Sequence, residues 1–88
     1  MPLVTTNEML KKAQAGHYAV GAFNVENMEM VMAVIKAAEE MNSPVIMQTT
    51  PSTVKYAGLD YYLAMVRTAA ERASVPVAIH LDHGSSFE

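Results

Sequence analysis

The chain has 88 residues, of which 51% are apolar and only 17% charged, with a net charge of -3. A domain this short buries only about 60–65% of the surface its unfolded chain exposes, so a composition this apolar is expected to belong to a larger core or an oligomer. Six Lys and Arg against nine Asp and Glu leave no basic footprint for nucleic acid; no apolar run approaches the ~18–20 residues that span a bilayer; and the lack of Cys excludes a disulfide framework.

Residues 1–12 (MPLVTTNEMLKK) show no charged segment followed by an apolar one, so no secretory signal is read there and the cytoplasm is the expected compartment. Thr5-Thr6-Asn7-Glu8 fits a capping box, with Thr5 as the cap and Glu8 reaching back to its amide. The helix it opens is expected over 7–15, with Gly16 as the left-handed residue that ends it. Residues 18–23 (YAVGAF) form a short apolar strand candidate. Asn27 is a plausible N-cap for a second helix. On it Met28, Val31, Ile35, Ala38 and Met41 recur at helical spacing, and Asn42 with Pro44 marks the exit. Met28, Met30 and Met32 are expected to fill core and touch a neighbouring subunit, and Glu39-Glu40 reads as a solvated face.

A second strand is expected over 44–48 (PVIMQ). Residues 49–58 (TTPSTVKYAG) read as a polar, Pro-containing loop with room for a short helical turn. A helix over about 60–73 places Tyr62, Val66, Ala69, Ala70 and Ala73 on one face, and a third strand over 76–81 (PVAIHL) runs into Asp82-His83-Gly84. Strands apolar throughout, rather than alternating, are typical of parallel sheets covered on both faces, and parallel neighbours need helical crossovers. The order fits a doubly wound sheet or a barrel. Strand starts near 18, 44 and 76 match the pitch of about 31 residues per unit in a (β/α)8 fold. The expected class is α/β: an N-terminal helix plus the first three strands (βαβαβ) of a TIM barrel, with residues 1–88 an incomplete amino-terminal part of one domain.

In parallel α/β folds, sites form at the carboxyl ends of strands. Asn24, Glu26 and Asn27 follow the first strand, Gln48, Thr49, Thr50 and Ser52 the second, and His80, Asp82, His83, Ser85 and Ser86 the third. His80-Leu81-Asp82-His83 is the densest cluster. Imidazole is a common zinc ligand, and a carboxylate can be a ligand or a general base. Adjacent strand residues point to opposite faces, so Asp82 and His83 reach one site only where the strand is ending. A plainer alternative stays open: His80 packs in the barrel interior, Asp82 caps a helix, His83 is solvated, and Ser85 and Ser86 begin the next helix. Asn24 fits a simple turn residue, and Thr50-Pro51-Ser52-Thr53 either a loop or a phosphate contact.

GHYAVGAFNVENMEM, SPVIMQTTPST and VPVAIHLDHGSSFE together resemble the amino-terminal portion of the class II, metal-dependent ketose-bisphosphate aldolases. The resemblance runs over essentially the whole chain, and AFN-x-x-N and HLDHG at this separation, with an SPVI strand between them, make a specific combination. It implies a (β/α)8 barrel of nearly three hundred residues carrying one catalytic Zn2+. Position by position, it implies His83 as the first of three histidine ligands, the others lying outside this chain. Asp82 becomes the carboxylate that shuttles a proton on the hydroxyl at the cleaved bond, and Asn24 a substrate contact. Thr50 stands where many members have a Ser that touches the aldehyde-phosphate half. The implied substrate is a sugar bisphosphate and the implied assembly a homo-oligomer, dimer or tetramer. TTPST is similar to tagatose-type members and HLDHGSSFE to fructose-type ones, with fructose 1,6-bisphosphate placed first. Two alternatives remain at this point: a non-catalytic barrel fragment, and a barrel phosphohydrolase using HxDH at a two-metal site.

Overall fold

Local sequence signals set the helix boundaries in the computed structural model, which describes residues 3–84; Ser85 and Ser86 lie outside these. Thr5 is extended, and its Oγ1 accepts from Glu8 N at 3.5 Å to open α1 (Thr6–Gly16). The reciprocal bond from the Glu8 side chain is not among the hydrogen bonds of the described residues. Helix α1 ends one step later than expected: His17, not Gly16, takes the left-handed position (φ 58, ψ 47). The bonds Tyr18 N to Ala13 O and His17 N to Gln14 O form the paired closure that ends many helices. Gly16 serves close approach instead, since a Cβ there would lie 2.7 Å from the Tyr18 ring. The returning chain takes up residues 18–20, so β1 (Gly21–Asn24) is shorter than the apolar run suggests.

Asn27 Oδ1 accepts from Met30 N at 2.9 Å and opens α2 (Met28–Glu40). Val31 and Ala38 are buried on it and Ile35 partly so, whereas Met28, Met30, Met32 and Met41 are exposed. Within the described residues Met28, Met30 and Met32 therefore do not fill the core. The sheet-facing stripe is completed by branched and small residues, and the methionines flank it. Asn42 (φ 49) and a bond from Ser43 N to Ala38 O at 2.9 Å turn the chain into β2 (Val45–Thr49).

Within residues 49–58, read as a loop with room for a short helical turn, that turn is a seven-residue helix, α3 (Pro51–Ala57), with Pro51 in its first turn. Proline is pre-set for that position because it needs no amide partner there. Gly58 (φ 98) separates α3 from α4 (Leu59–Arg72), on which Tyr62, Val66 and Ala70 are buried. Glu39, read as solvated, accepts from Ser74 N at 2.9 Å and Ser74 Oγ at 3.0 Å. It thereby pins the turn into β3 (Val77–Leu81).

The three strands form one parallel sheet in the order β1-β2-β3. Gly21 pairs with Val45, and Val45 with Val77. Alternation divides the sheet into two faces. Val45, Met47, Val77 and Ile79 join Val31, Ala38, Val66 and Ala70 in the main core, under α2 and α4. Ile46 and Ala78, on the opposite face, pack with Met9, Val4 and Val20, so α1 closes the base of that face. The segment before α1 also meets the outer edge of β3: Leu3 bridges Val77 in parallel, and Val4 N donates to Val77 O at 3.0 Å.

Candidate active site

Above the apolar base, the same face of the sheet turns polar. Asn24 pairs with Gln48, and Gln48 with His80. The three side chains stand at one level and are hydrogen-bonded in a row: Gln48 Nε2 donates to Asn24 Oδ1 at 3.0 Å, and Gln48 Oε1 meets His80 Nδ1 at 2.9 Å. Gln48 shares a face with Ile46, and His80 with Ala78, because each is two residues further along its strand. Asn24 was expected at the site. His80 stands on the face opposite α2 and α4, the face a closed barrel turns inward, and is exposed among the described residues. Gln48 was noted only as following its strand. The signal that singles it out is a polar residue ending an apolar strand in step with Ile46.

Asp82 lies one residue past β3, where its N–H donates to Thr49 O at 2.7 Å and extends the β2–β3 ladder. It therefore keeps the parity of Ala78 and His80. His83 then adopts φ 58, and the strand alternation breaks there, as needed for adjacent residues to serve one site. His83 Nε2 is 3.7 Å from Asp82 Oδ2, with the imidazole 83% exposed. Thr50 directly follows β2, in the capping position of α3 but without a side-chain cap bond. Its Oγ1 lies 2.9 Å from Ser52 Oγ and 3.4 Å from Thr53 Oγ1, and Thr53 in turn donates to Glu26 Oε1 at 3.3 Å. Asn24, Thr50, Asp82 and His83 thus all stand at the carboxyl end of the sheet. Hydrogen bonds join Asn24 to Gln48 and His80, whereas Thr50 belongs to a separate hydroxyl cluster.

A wide groove lies elsewhere, between α2, α3 and α4, bordered by Met28, Met32, Tyr56 and Tyr61. It is on the helix-covered side and holds none of the polar row. Tyr62 at its floor is 2% exposed, its hydroxyl has no partner among the described residues, and burial pushes it up to about 12. No group of three His, Cys, Asp or Glu among the described residues could hold a metal. His83 offers one accessible imidazole, a donor suited to zinc, so the residues present fit a contribution of one ligand to a shared ion.

A parallel βαβαβ sheet with α2 and α4 on one face and polar residues at the carboxyl ends of its strands has the layout of the opening units of a (β/α)8 barrel. Residues 4–88 match the family model described as fructose-bisphosphate aldolase class-II, and the chain belongs to that family. It is 54% identical over 86 residues to fructose-bisphosphate aldolase of Thermus caldophilus, covering 98% of this chain and 28% of that protein. It is 49% identical over 87 residues to the Helicobacter pylori (strain 26695) enzyme of the same name, again covering 98% of this chain and 28% of that protein. Among solved structures, the YdjI aldolase from Escherichia coli K12 matches with a TM-score of 0.88 and 40% identity, over 97% of this chain and 33% of that one. Fructose-bisphosphate aldolase (Fba) from Campylobacter jejuni matches at 0.82 and 30%, over 94% and 29%. The chain therefore spans about three-tenths of the length of these relatives, as expected for the first three units of a barrel.

Proposed function

We propose that the protein carrying this chain is a zinc-dependent aldolase. It cleaves fructose 1,6-bisphosphate reversibly to dihydroxyacetone phosphate and glyceraldehyde 3-phosphate, in glycolysis and gluconeogenesis. The cytoplasm and a homo-oligomer, dimer or tetramer, complete the reading; among the described residues no helix is long and apolar enough to cross a membrane. The observation that carries the proposal is the meeting of the AFN and HLDH strand ends at one end of a single parallel sheet, in a chain the family model matches over residues 4–88.

His83 would supply one ligand to the ion, with the rest coming from outside this chain. When bound, zinc supplies Lewis-acid stabilisation of the negative charge that develops on the ketose oxygens. Asp82 takes the proton of the C4 hydroxyl as the C3–C4 bond breaks, and its carboxyl returns that proton in the condensation direction. The ladder bond from its amide to Thr49 O ties its backbone to the sheet, which limits how far the carboxylate can stray. Asn24 hydrogen-bonds substrate oxygen at the end of β1, and the Thr50 hydroxyl contacts the aldehyde-phosphate half. Tagatose 1,6-bisphosphate is the second reading, favoured by the TTPST segment.

The test uses the complete protein. Chelation should abolish cleavage of fructose 1,6-bisphosphate and added zinc should restore it. His83→Ala should lose both zinc content and turnover while circular dichroism stays native. Turnover surviving chelation would refute the metal; failure to cleave either bisphosphate would refute the aldolase. Side-by-side rates on the two sugars decide between them.

A further inference from the structure

The row Asn24–Gln48–His80 has a direction. Gln48 carries one accepting and one donating end, and both are used: Oε1 toward His80 Nδ1 at 2.9 Å, Nε2 toward Asn24 Oδ1 at 3.0 Å. Asn24 therefore spends its acceptor on Gln48 and keeps its Nδ2 hydrogens, which have no partner among the described residues. The polarity is set at the far end. An imidazole with Nδ1–H must donate to Gln48 Oε1, which turns Gln48 Nε2 toward Asn24. An imidazole with a bare Nδ1 would require the opposite amide orientation, and Asn24 would then show an oxygen to the site. The imidazolium also carries Nδ1–H, so the direction is the same in either charge state.

We propose that His80 is a positioning residue: through Gln48 it fixes the amide of Asn24 so that Asn24 Nδ2 points out as a hydrogen-bond donor to an oxygen of the bound sugar phosphate. The identity of that ligand rests on the aldolase reading; the relay itself rests on the geometry. Parallel register supplies the necessary levelling. Asn24, Gln48 and His80 are successive Cα partners, and side chains in register across a parallel sheet lie one strand spacing, about 4.8 Å, apart. That separation lets an amide bridge its neighbours on both sides.

Two measurements on the complete protein test the proposal. Imidazole nitrogen NMR, at a pH where the ring is neutral, should show His80 as the Nδ1–H tautomer, and Gln48→Ala should relax that preference. This readout needs no activity. In kinetics with fructose 1,6-bisphosphate, His80→Ala should lower kcat/KM about tenfold, the order expected for one hydrogen bond. His80→Asn, whose amide nitrogen reaches the place of Nδ1, should recover most of it. In an Asn24→Ala background, His80→Ala should cost less than about twofold, because its effect passes through Asn24. An Nε2–H tautomer, or an equal loss in both backgrounds, overturns the relay. If the protein cleaves no bisphosphate, the aldolase reading fails, and the tautomer alone decides the relay.

Discussion

The two ends of the open sheet face make opposite use of the same strands. At the base, Ile46 and Ala78 are closed over by Met9, Val4 and Val20. One side-chain step higher, Gln48 and His80 carry hydrogen bonds and remain accessible. A distance of two residues, about 6.6 Å of strand, separates a region held by burial of apolar surface from one held by directional bonds. The lower end can be rigid because removing water from it is favourable. The upper end must stay open to a ligand, and its order comes from register and from the polar row. Stability and chemistry should therefore respond to different substitutions on the same strands, and each experiment below tries that separation in the complete protein.

The largest effect is expected at the top. Asp82→Asn keeps the side-chain size but cannot take a proton. Cleavage should fall by ~10²–10⁴, with zinc content and melting temperature unchanged. Proton exchange on dihydroxyacetone phosphate, which occurs at the other reacting carbon, should survive much better than cleavage. A parallel loss of zinc would make Asp82 a ligand; unchanged cleavage would remove it from the chemistry.

At the base, Ile46→Ala should show the converse. Deleting a buried branched side chain costs about 2–5 kcal/mol, read from denaturant unfolding, while kcat of the folded fraction stays within twofold or so of the parent. A large fall in kcat with little loss of stability would break the division between the two ends.

The smallest effect lies on the helix-covered side and sharpens the comparison, because it concerns a polar group with no task in the row. The Tyr62 hydroxyl is buried without a partner among the described residues, and its pKa is raised by that burial to about 12. In the unfolded chain it ionises near pH 10. Below pH 10 the hydroxyl is neutral in both states; as pH rises from about 10 to about 12 the unfolded state releases its proton first, so stability falls across that window. Tyr62→Phe should flatten this part of the pH dependence and raise stability at neutral pH by about 1 kcal/mol. Denaturant unfolding of both proteins at pH 8 and pH 11 checks it, and an identical pH response in the two would show that the hydroxyl finds a partner.

The fold was legible where local physics decides it. The apolar runs VIM and VAI, the Asn27 cap and the Tyr62–Val66–Ala70 stripe each pointed to the observed element. Helix α3 was hidden by its own composition, since Thr50-Pro51-Ser52-Thr53 favours loops as readily as a helix start, and only the docking of Thr53 and neighbouring α4 settles it. The end of α1 was hidden because a histidine holds the left-handed position while the glycine beside it lies under the Tyr18 ring. The placing of Asn24, Asp82 and His83 at the carboxyl end of the sheet could be anticipated from the ends of the apolar strands. Gln48 and His80 as a pair could not, because a bond across strands depends on register, and register is a property of the paired sheet, not of either segment.

The bond from Val4 N to Val77 O has a further consequence at the boundary of the sheet. On the outer edge of β3 the main-chain groups at alternate residues are available for pairing, and the lowest of them, at Val77, is already engaged by the start of the chain. Among the described residues Val77 has a backbone partner on this edge, whereas Ile79 and Leu81 have none. The first residues of the chain thereby cap the lower end of this edge, and pairing along it is confined to the rungs nearer the polar end.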